Sequence, residues 1–321
     1  MSWVLPGVPE VFASLLWLVI ILMSEDLPTL ERPIKAYSGL SGLGQASTLT
    51  LLIKYFAERI SIAKGAVLLQ VMQPENQSKQ ATIVVPDTGS NLSKKAQVAD
   101  MFNDIARRYD FLNHFLSLGI DRNWRKKAIA ELAKVKHERI LDVATGTGDL
   151  AIAASKTAPK HITGIDIAEQ MLEIGRKKVA ELGLAGLIKL QTGDSEALPF
   201  NDGAFDIVMC AYGVRNFEHL EAGLKEMCRV MEPGGKLVIL EFSHPKKFPI
   251  RQLYKFYFKY ILPLLGRVVS KNSNAYTYLP ESVRAFPEGK VFCEKMVKCG
   301  FKDAKARPLT FGITTLYTAV K

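Results

Sequence analysis

Cysteine is scarce: four in 321 residues (Cys210, Cys228, Cys293, Cys299), with no C-x-x-C pair and no Cys/His cluster at metal-ligand spacing. That excludes a disulfide-stapled scaffold and gives no sign of a metal site; it implies free thiols in a reducing cytoplasm. The apolar run 11–23 falls short of the roughly 20 residues that span a bilayer as a helix. No Lys or Arg precedes that run, so it also lacks the charged start of a signal peptide. No G-x-x-x-x-G-K-[ST] occurs, which excludes an ATP-type P-loop. No repeat period marks a solenoid or propeller. Neither a paired Cys/His finger nor an aromatic RNP strand is present, so nucleic acid is not an expected partner.

What is present looks globular, with 48% hydrophobic and 23% charged residues. The net charge is +10. Residues 1–71 balance Arg32, Lys35, Lys54, Arg59 and Lys64 against Glu10, Glu25, Asp26, Glu31 and Glu58. The excess therefore lies in residues 72–321, and without a nucleic-acid signature it suggests an anionic membrane surface. Residues 37–50 are small and polar. Residues 72–95, with Pro74, Pro86 and Gly89, read as a disordered, solvated arm. Met72 opens that arm. Residues 1–71 then have two readings: the product of a start codon placed too early, or a membrane-tethering extension.

From residue 96 the pattern becomes regular. Val98, Met101, Phe102, Ile105 and Ala106 share one face of a helix over 96–109. An aromatic-rich turn or helix follows at 111–119, then a helix over 123–132, so that 96–135 forms a helical cap. Strands are expected at 139–144, 161–166, 187–193, 205–211 and 236–242, and helices at 149–155, 169–181 and 220–230. Strands separated by helices imply right-handed crossovers and a parallel sheet. Residues 302–309 and 313–321 have no helix between them and predict an antiparallel pair at or near one sheet edge. The fold class is α/β, Rossmann-like, over residues 96–321.

The run from Ile140 to Ala151 places a strand, a glycine turn (Gly146, Thr147, Gly148) and a helix start in sequence. Such a turn lets backbone approach a ligand and offers free N–H groups. Alone it fits the looser dinucleotide fingerprint, or a tight turn with no ligand. Asp142 and Asp149 flank it, a poor setting for a pyrophosphate and a good one for a sulfonium and an amine. Asp166 ends the second strand, placed to accept from both ribose hydroxyls or to cap the next helix. Asp194 and Ser195 end the third, placed beside an adenine amine or as a cap. Together these describe an S-adenosylmethionine pocket, with no metal required; a nicotinamide enzyme would make Asp142 and Asp149 incidental.

At this point the residues match known signatures. The stretch 109–125 (YDFLNHFLSLGIDRNWR) resembles the first signature of the UbiE/MenG quinone-biosynthesis methyltransferases, and 229–243 (RVMEPGGKLVILEFS) the second. Residues 196–200 and 213–216 also look like family stretches, and the resemblance covers about 95–321. Leu112, Asp121 and Glu232 depart from the family's common Met, His and Lys. The resemblance implies the class I methyltransferase fold, S-adenosylmethionine as methyl donor, and cofactor contacts at Thr147, Asp166, Asp194 and Ser195. A serine some members have after the fourth strand is Ala211 here.

The family methylates a ring carbon of a prenylated quinol. That chemistry needs alignment, exclusion of water and removal of one proton. Arg215, after the fourth strand, is the expected catalytic residue: a guanidinium stabilises a phenolate and orients a water. Its alternative is a structural ion pair. Asp110, His114 and Asp121 are weaker base candidates. Arg251, Lys255 and Lys259 recur at helical spacing among aromatics in 246–271, which suits a membrane interface, a groove for the prenyl tail, or cover for the domain's own core. The expected substrate is demethylmenaquinol. The alternatives are the equivalent benzoquinol of ubiquinone synthesis and a non-catalytic cofactor-binding scaffold. The expected location is cytoplasmic, peripheral on the inner membrane face; a homodimer is allowed for.

Overall fold

The computed structural model describes residues 84–117, 119–135, 137–257 and 274–321. The readings of residues 1–71, of the arm up to residue 83 and of 258–271 lie outside the described residues.

The sheet has seven strands in the order β3-β2-β1-β4-β5-β7-β6. They are β1 (Arg139–Val143), β2 (His161–Asp166), β3 (Ile188–Thr192), β4 (Phe205–Ala211), β5 (Met231–Phe242), β6 (Lys302–Leu309) and β7 (Thr314–Val320). The first five pair in parallel. β7 slots antiparallel between β5 and β6, which is the hairpin expected from the missing helix.

Period-2 alternation divides the core between the two sheet faces. Leu141, Val143, Val208, Cys210, Leu237 and Ile239 pack with Leu224 and Met227 from helix α5 (Leu220–Val230) and with Phe292 and Met296 from α8 (Lys290–Lys298). Their neighbours Ile140, Ile207, Met209, Val238 and Leu240 face the other way. These pack with Trp124, Ala128 and Leu132 from α2 (Asp121–Leu132) and with Leu172 and Val179 from α4 (Glu169–Glu181). Strands covered on both faces read as continuous apolar runs, which is why β1 and β4 stand out in the sequence. No disulfide joins the four cysteines.

Some boundaries differ from expectation. The cap begins as one helix, α1 (Lys94–Leu116), which joins the helix expected at 96–109 to most of the aromatic stretch expected as a turn or helix at 111–119. In the described residues before it, Gln97 Oε1 accepts from the Asp87 amide (2.9 Å) and Gln97 Nε2 donates to the Leu92 carbonyl (2.8 Å). β5 starts at Met231, because Phe205 pairs with Met231 before a register shift absorbs the Pro-Gly-Gly turn. Helix α3 (Asp149–Ala154) follows the glycine turn. Two further helices, α6 (Ile250–Phe256) and α7 (Asn274–Ala285), complete the described fold.

Candidate active site

The cleft opens at the carboxyl ends of β1, β2 and β4, where open parallel sheets bind ligands. Gly146 (φ 56°) and Gly148 (φ 79°) take left-handed backbone, so the β1 turn folds back tightly and Gly148 caps α3. Gly213, after β4, sits so close that a Cβ would lie 2.5 Å from Ala144 Cβ. The two turns therefore share one wall. The cleft is lined by Gly146, Asp166, Asp194, Ser195, Tyr212 and Asn216, among others, with Lys95, Phe102 and Tyr109 reaching in from α1.

Asp166 serves two structural duties. Its Oδ2 accepts from the Gly146 amide (2.8 Å) and its Oδ1 from the Ala168 amide at the start of α4 (2.9 Å). Burial pushes its carboxyl up, while these amides pull it down. Asp166 lines the cleft, and its carboxylate oxygens are acceptors of the kind that the hydroxyls of a ribose diol need. Asp194 closes the turn after β3, its Oδ1 accepting from the Glu196 amide (2.9 Å). Its Oδ2 takes the Lys95 ammonium at 2.6 Å, a bond that raises the Lys95 pKa. Ser195 lines the cleft beside it.

Other expected contacts turn inward. The Thr147 hydroxyl donates to Asp110 Oδ1 (2.6 Å) and does not line the cleft. Lys178 bonds Asp110 (2.8 Å) and Asp149 (2.5 Å), and Arg125 approaches Asp149 at 3.3 Å. Asp142 lies buried under the turn and accepts from the Thr145 hydroxyl (2.6 Å). Burial pushes its carboxyl up to about 7. The negative charge expected at the turn is thus partly engaged within the protein: Lys178 and Arg125 pair with Asp149, and Asp142 is buried. Both shape the turn. Gly146, Thr147 and Gly148 are brought together with Asp166; Asp194 and Ser195 face them from β3.

Arg215 sits on a 3-10 turn (Val214–Asn216) with its side chain only 7% exposed. Nη1 donates to Glu241 Oε1 (2.9 Å) and to the Tyr212 carbonyl, and the guanidinium lies over the Phe242 ring, 5.4 Å from its centroid. Arg215 is not on the cleft lining, although Tyr212 and Asn216 are. Nε makes no hydrogen bond among the described residues. The ion-pair alternative is thus realised in geometry, and Nε keeps a donor in hand. Burial pushes the Glu241 carboxyl up, and the Arg215 charge opposes it.

Of the weaker base candidates, Asp110 is engaged as above. Asp121 is buried between the Ser117 hydroxyl (2.7 Å) and Arg125 (2.6 Å). The His114 side chain lies outside the described residues. Sequence reasoning missed Glu241, Lys95 and Tyr212. Glu241 carried a signal: an acid inside a buried apolar strand requires a partner. Lys95 carried none, because only cap closure brings it to Asp194.

The chain matches the model of the ubiE/COQ5 methyltransferase family over residues 90–321. A demethylmenaquinone methyltransferase of Bacteroides fragilis is 49% identical over 234 residues, covering 72% of this chain and 96% of that one. A ubiquinone/menaquinone biosynthesis C-methyltransferase of Geotalea daltonii is 48% identical over 230 residues, 71% of this chain and 97% of that one. A solved structure from Nostoc punctiforme, described as a candidate O-methyltransferase, shares the fold at TM-score 0.50 and 14% identity, covering 68% of this chain and 60% of that one.

Proposed function

The chain belongs to the ubiE/COQ5 methyltransferase family and is an S-adenosylmethionine-dependent methyltransferase; from that premise we propose that it methylates a ring carbon of demethylmenaquinol, giving menaquinol. The observation that carries the choice of acceptor is near-half identity across 96% of a relative named for demethylmenaquinone.

The bound donor supplies an electrophilic methyl on a sulfonium, so no metal is called for. The chain's task is to bind, align and manage a proton. Asp166 holds the ribose, Asp194 and Ser195 lie on the adenine side, and Gly146 and Gly148 bring backbone close. Asp142 and Thr147 keep that turn in shape from beneath. Phe102 and Tyr109 of α1 cover the cleft and exclude water. Arg215 stabilises the negative oxygen left when a ring hydroxyl gives up its proton. The new carbon–carbon bond forms as the sulfur–methyl bond breaks; loss of the ring hydrogen as a proton then restores aromaticity.

The methyltransferase unit is residues 96–321, and it works at the inner face of the cytoplasmic membrane. Phe248, 80% exposed, stands among Lys246, Lys247, Arg251 and Lys255, a basic edge with an apolar tip suited to anionic lipid. Among the described residues no helix is long and apolar enough to cross a membrane. A second reading, the benzoquinol step towards ubiquinone, rests on the Geotalea relative, whose name covers both quinones. Offering both acceptors to the purified protein with labelled donor tests the choice.

A further inference from the structure

Three buried polar atoms beside the Arg215 turn make no hydrogen bond among the described residues: Arg215 Nε, Asn216 Oδ1 and the Tyr278 hydroxyl. Tyr278 is 2% exposed. It lies on α7, which packs against the 3-10 turn carrying Arg215 and Asn216. It shares a hydrophobic cluster with Val98, against which Phe102 and Ile167 pack. All three also line the cleft, as Asn216 does. The phenol thus stands behind residues that line the cleft, on the side of the turn that carries Arg215 and Asn216.

A buried hydroxyl without a partner is unfavourable, and phenylalanine would fill the same space without that cost. Packing alone does not account for tyrosine here. Burial pushes the Tyr278 hydroxyl up to about 12, with the Arg215 charge pulling it back, so near neutral pH it stays a donor. Arg215 Nε is a donor as well; Asn216 Oδ1 is an acceptor. Two donors and an acceptor complement a ring hydroxyl that must lose its proton and then carry charge.

We propose that Tyr278 is a specificity and positioning residue for the acceptor, its hydroxyl donating to the same quinol ring oxygen that Arg215 Nε holds. The proposal rests on the quinol reading above. No proton changes hands at Tyr278; its bond strengthens as charge builds on the oxygen, so it favours quinols over rings lacking that oxygen.

The test is Tyr278→Phe in the full chain, which deletes one oxygen. Melting temperature, S-adenosylhomocysteine affinity by calorimetry, and kcat and KM for demethylmenaquinol are measured on one preparation. Expected are an unchanged or slightly higher melting temperature, unchanged S-adenosylhomocysteine affinity, and a fall of about 10–100-fold in kcat/KM, carried mainly by kcat, on the scale of losing one oxyanion donor. Unchanged turnover overturns the proposal. So does a loss of activity that merely tracks a lower melting temperature, which would make Tyr278 structural. If the wild-type chain binds S-adenosylhomocysteine yet methylates neither quinol, the functional reading falls and this proposal with it, a result distinct from an active Tyr278→Phe variant.

Discussion

Arg215 and Glu241 form a pair whose removal separates stability from chemistry. Glu241 is fully buried, and without Arg215's guanidinium its carboxylate keeps only the Phe242 amide (2.9 Å) and the backbone amide of residue 215 (3.3 Å). Breaking one partner of a buried ion pair costs about 3–5 kcal/mol, because a charge is left uncompensated. For a domain of this size each kcal/mol lowers the melting temperature by roughly 2–4 °C. Arg215→Ala is therefore expected to melt about 6–20 °C lower and to lose activity, which alone decides nothing. Replacing both residues by leucine removes the orphaned charge, and such swaps are often close to neutral. Arg215→Leu with Glu241→Leu should recover most of the melting temperature. If Arg215 Nε steadies the quinol oxygen, kcat stays down by about 10²–10³ in the recovered protein, with donor affinity nearly intact. Calorimetric melting, S-adenosylhomocysteine titration and single-turnover methyl transfer on the same samples decide it. A double variant that regains both stability and kcat would refute the catalytic assignment and leave Arg215 as the counterion of Glu241.

Asp166→Ala should weaken S-adenosylmethionine binding by about 1.5–3 kcal/mol, the scale for losing a charged hydrogen-bond partner; unchanged affinity by calorimetry would remove Asp166 from the site. Asp142 gives a pH signature. Its folded carboxyl, at about 7, lies above the ordinary 3.8, so the folded state holds the proton more tightly. Its contribution to stability is then greatest below the ordinary carboxylate range and is lost as pH rises towards 7. Asp142→Asn, neutral throughout, should gain on the wild type between about pH 4 and 7, by at most about 4 kcal/mol, and run parallel above. Urea unfolding at several pH values measures the difference; parallel curves across the whole range would contradict the burial argument.

The sheet was largely legible because buried parallel strands announce themselves as apolar runs, as at 205–211. The helix over 169–181 was legible from its apolar period. The glycine turn was legible because few residues accept the backbone that Gly146 and Gly148 adopt. What the turn's acids do was not. Asp149 meets Lys178 and Arg125, and Thr147 meets Asp110, across gaps that only the tertiary fold closes. Those partners of Asp149, Lys178 on α4 and Arg125 on α2, lie 29 and 24 residues away in the chain, beyond the reach of a local motif. Nothing in the sequence reading placed α7, where Pro280 stands inside the helix against the usual signal. Tyr278 was missed with it. Arg215 was legible as a residue of the carboxyl edge; that Glu241 would claim it follows from the register of β4 and β5.

The most direct test of the central claim is transfer of labelled methyl. The purified full chain is given S-adenosylmethionine labelled in its methyl group and chemically reduced demethylmenaquinol, and the quinone pool is read by mass spectrometry alongside S-adenosylhomocysteine. The account predicts one labelled methyl on the ring for each S-adenosylhomocysteine formed, giving menaquinol, with slower or no transfer to the benzoquinol analogue. A protein that binds the donor yet leaves demethylmenaquinol unlabelled, or labels only the benzoquinol, would contradict it.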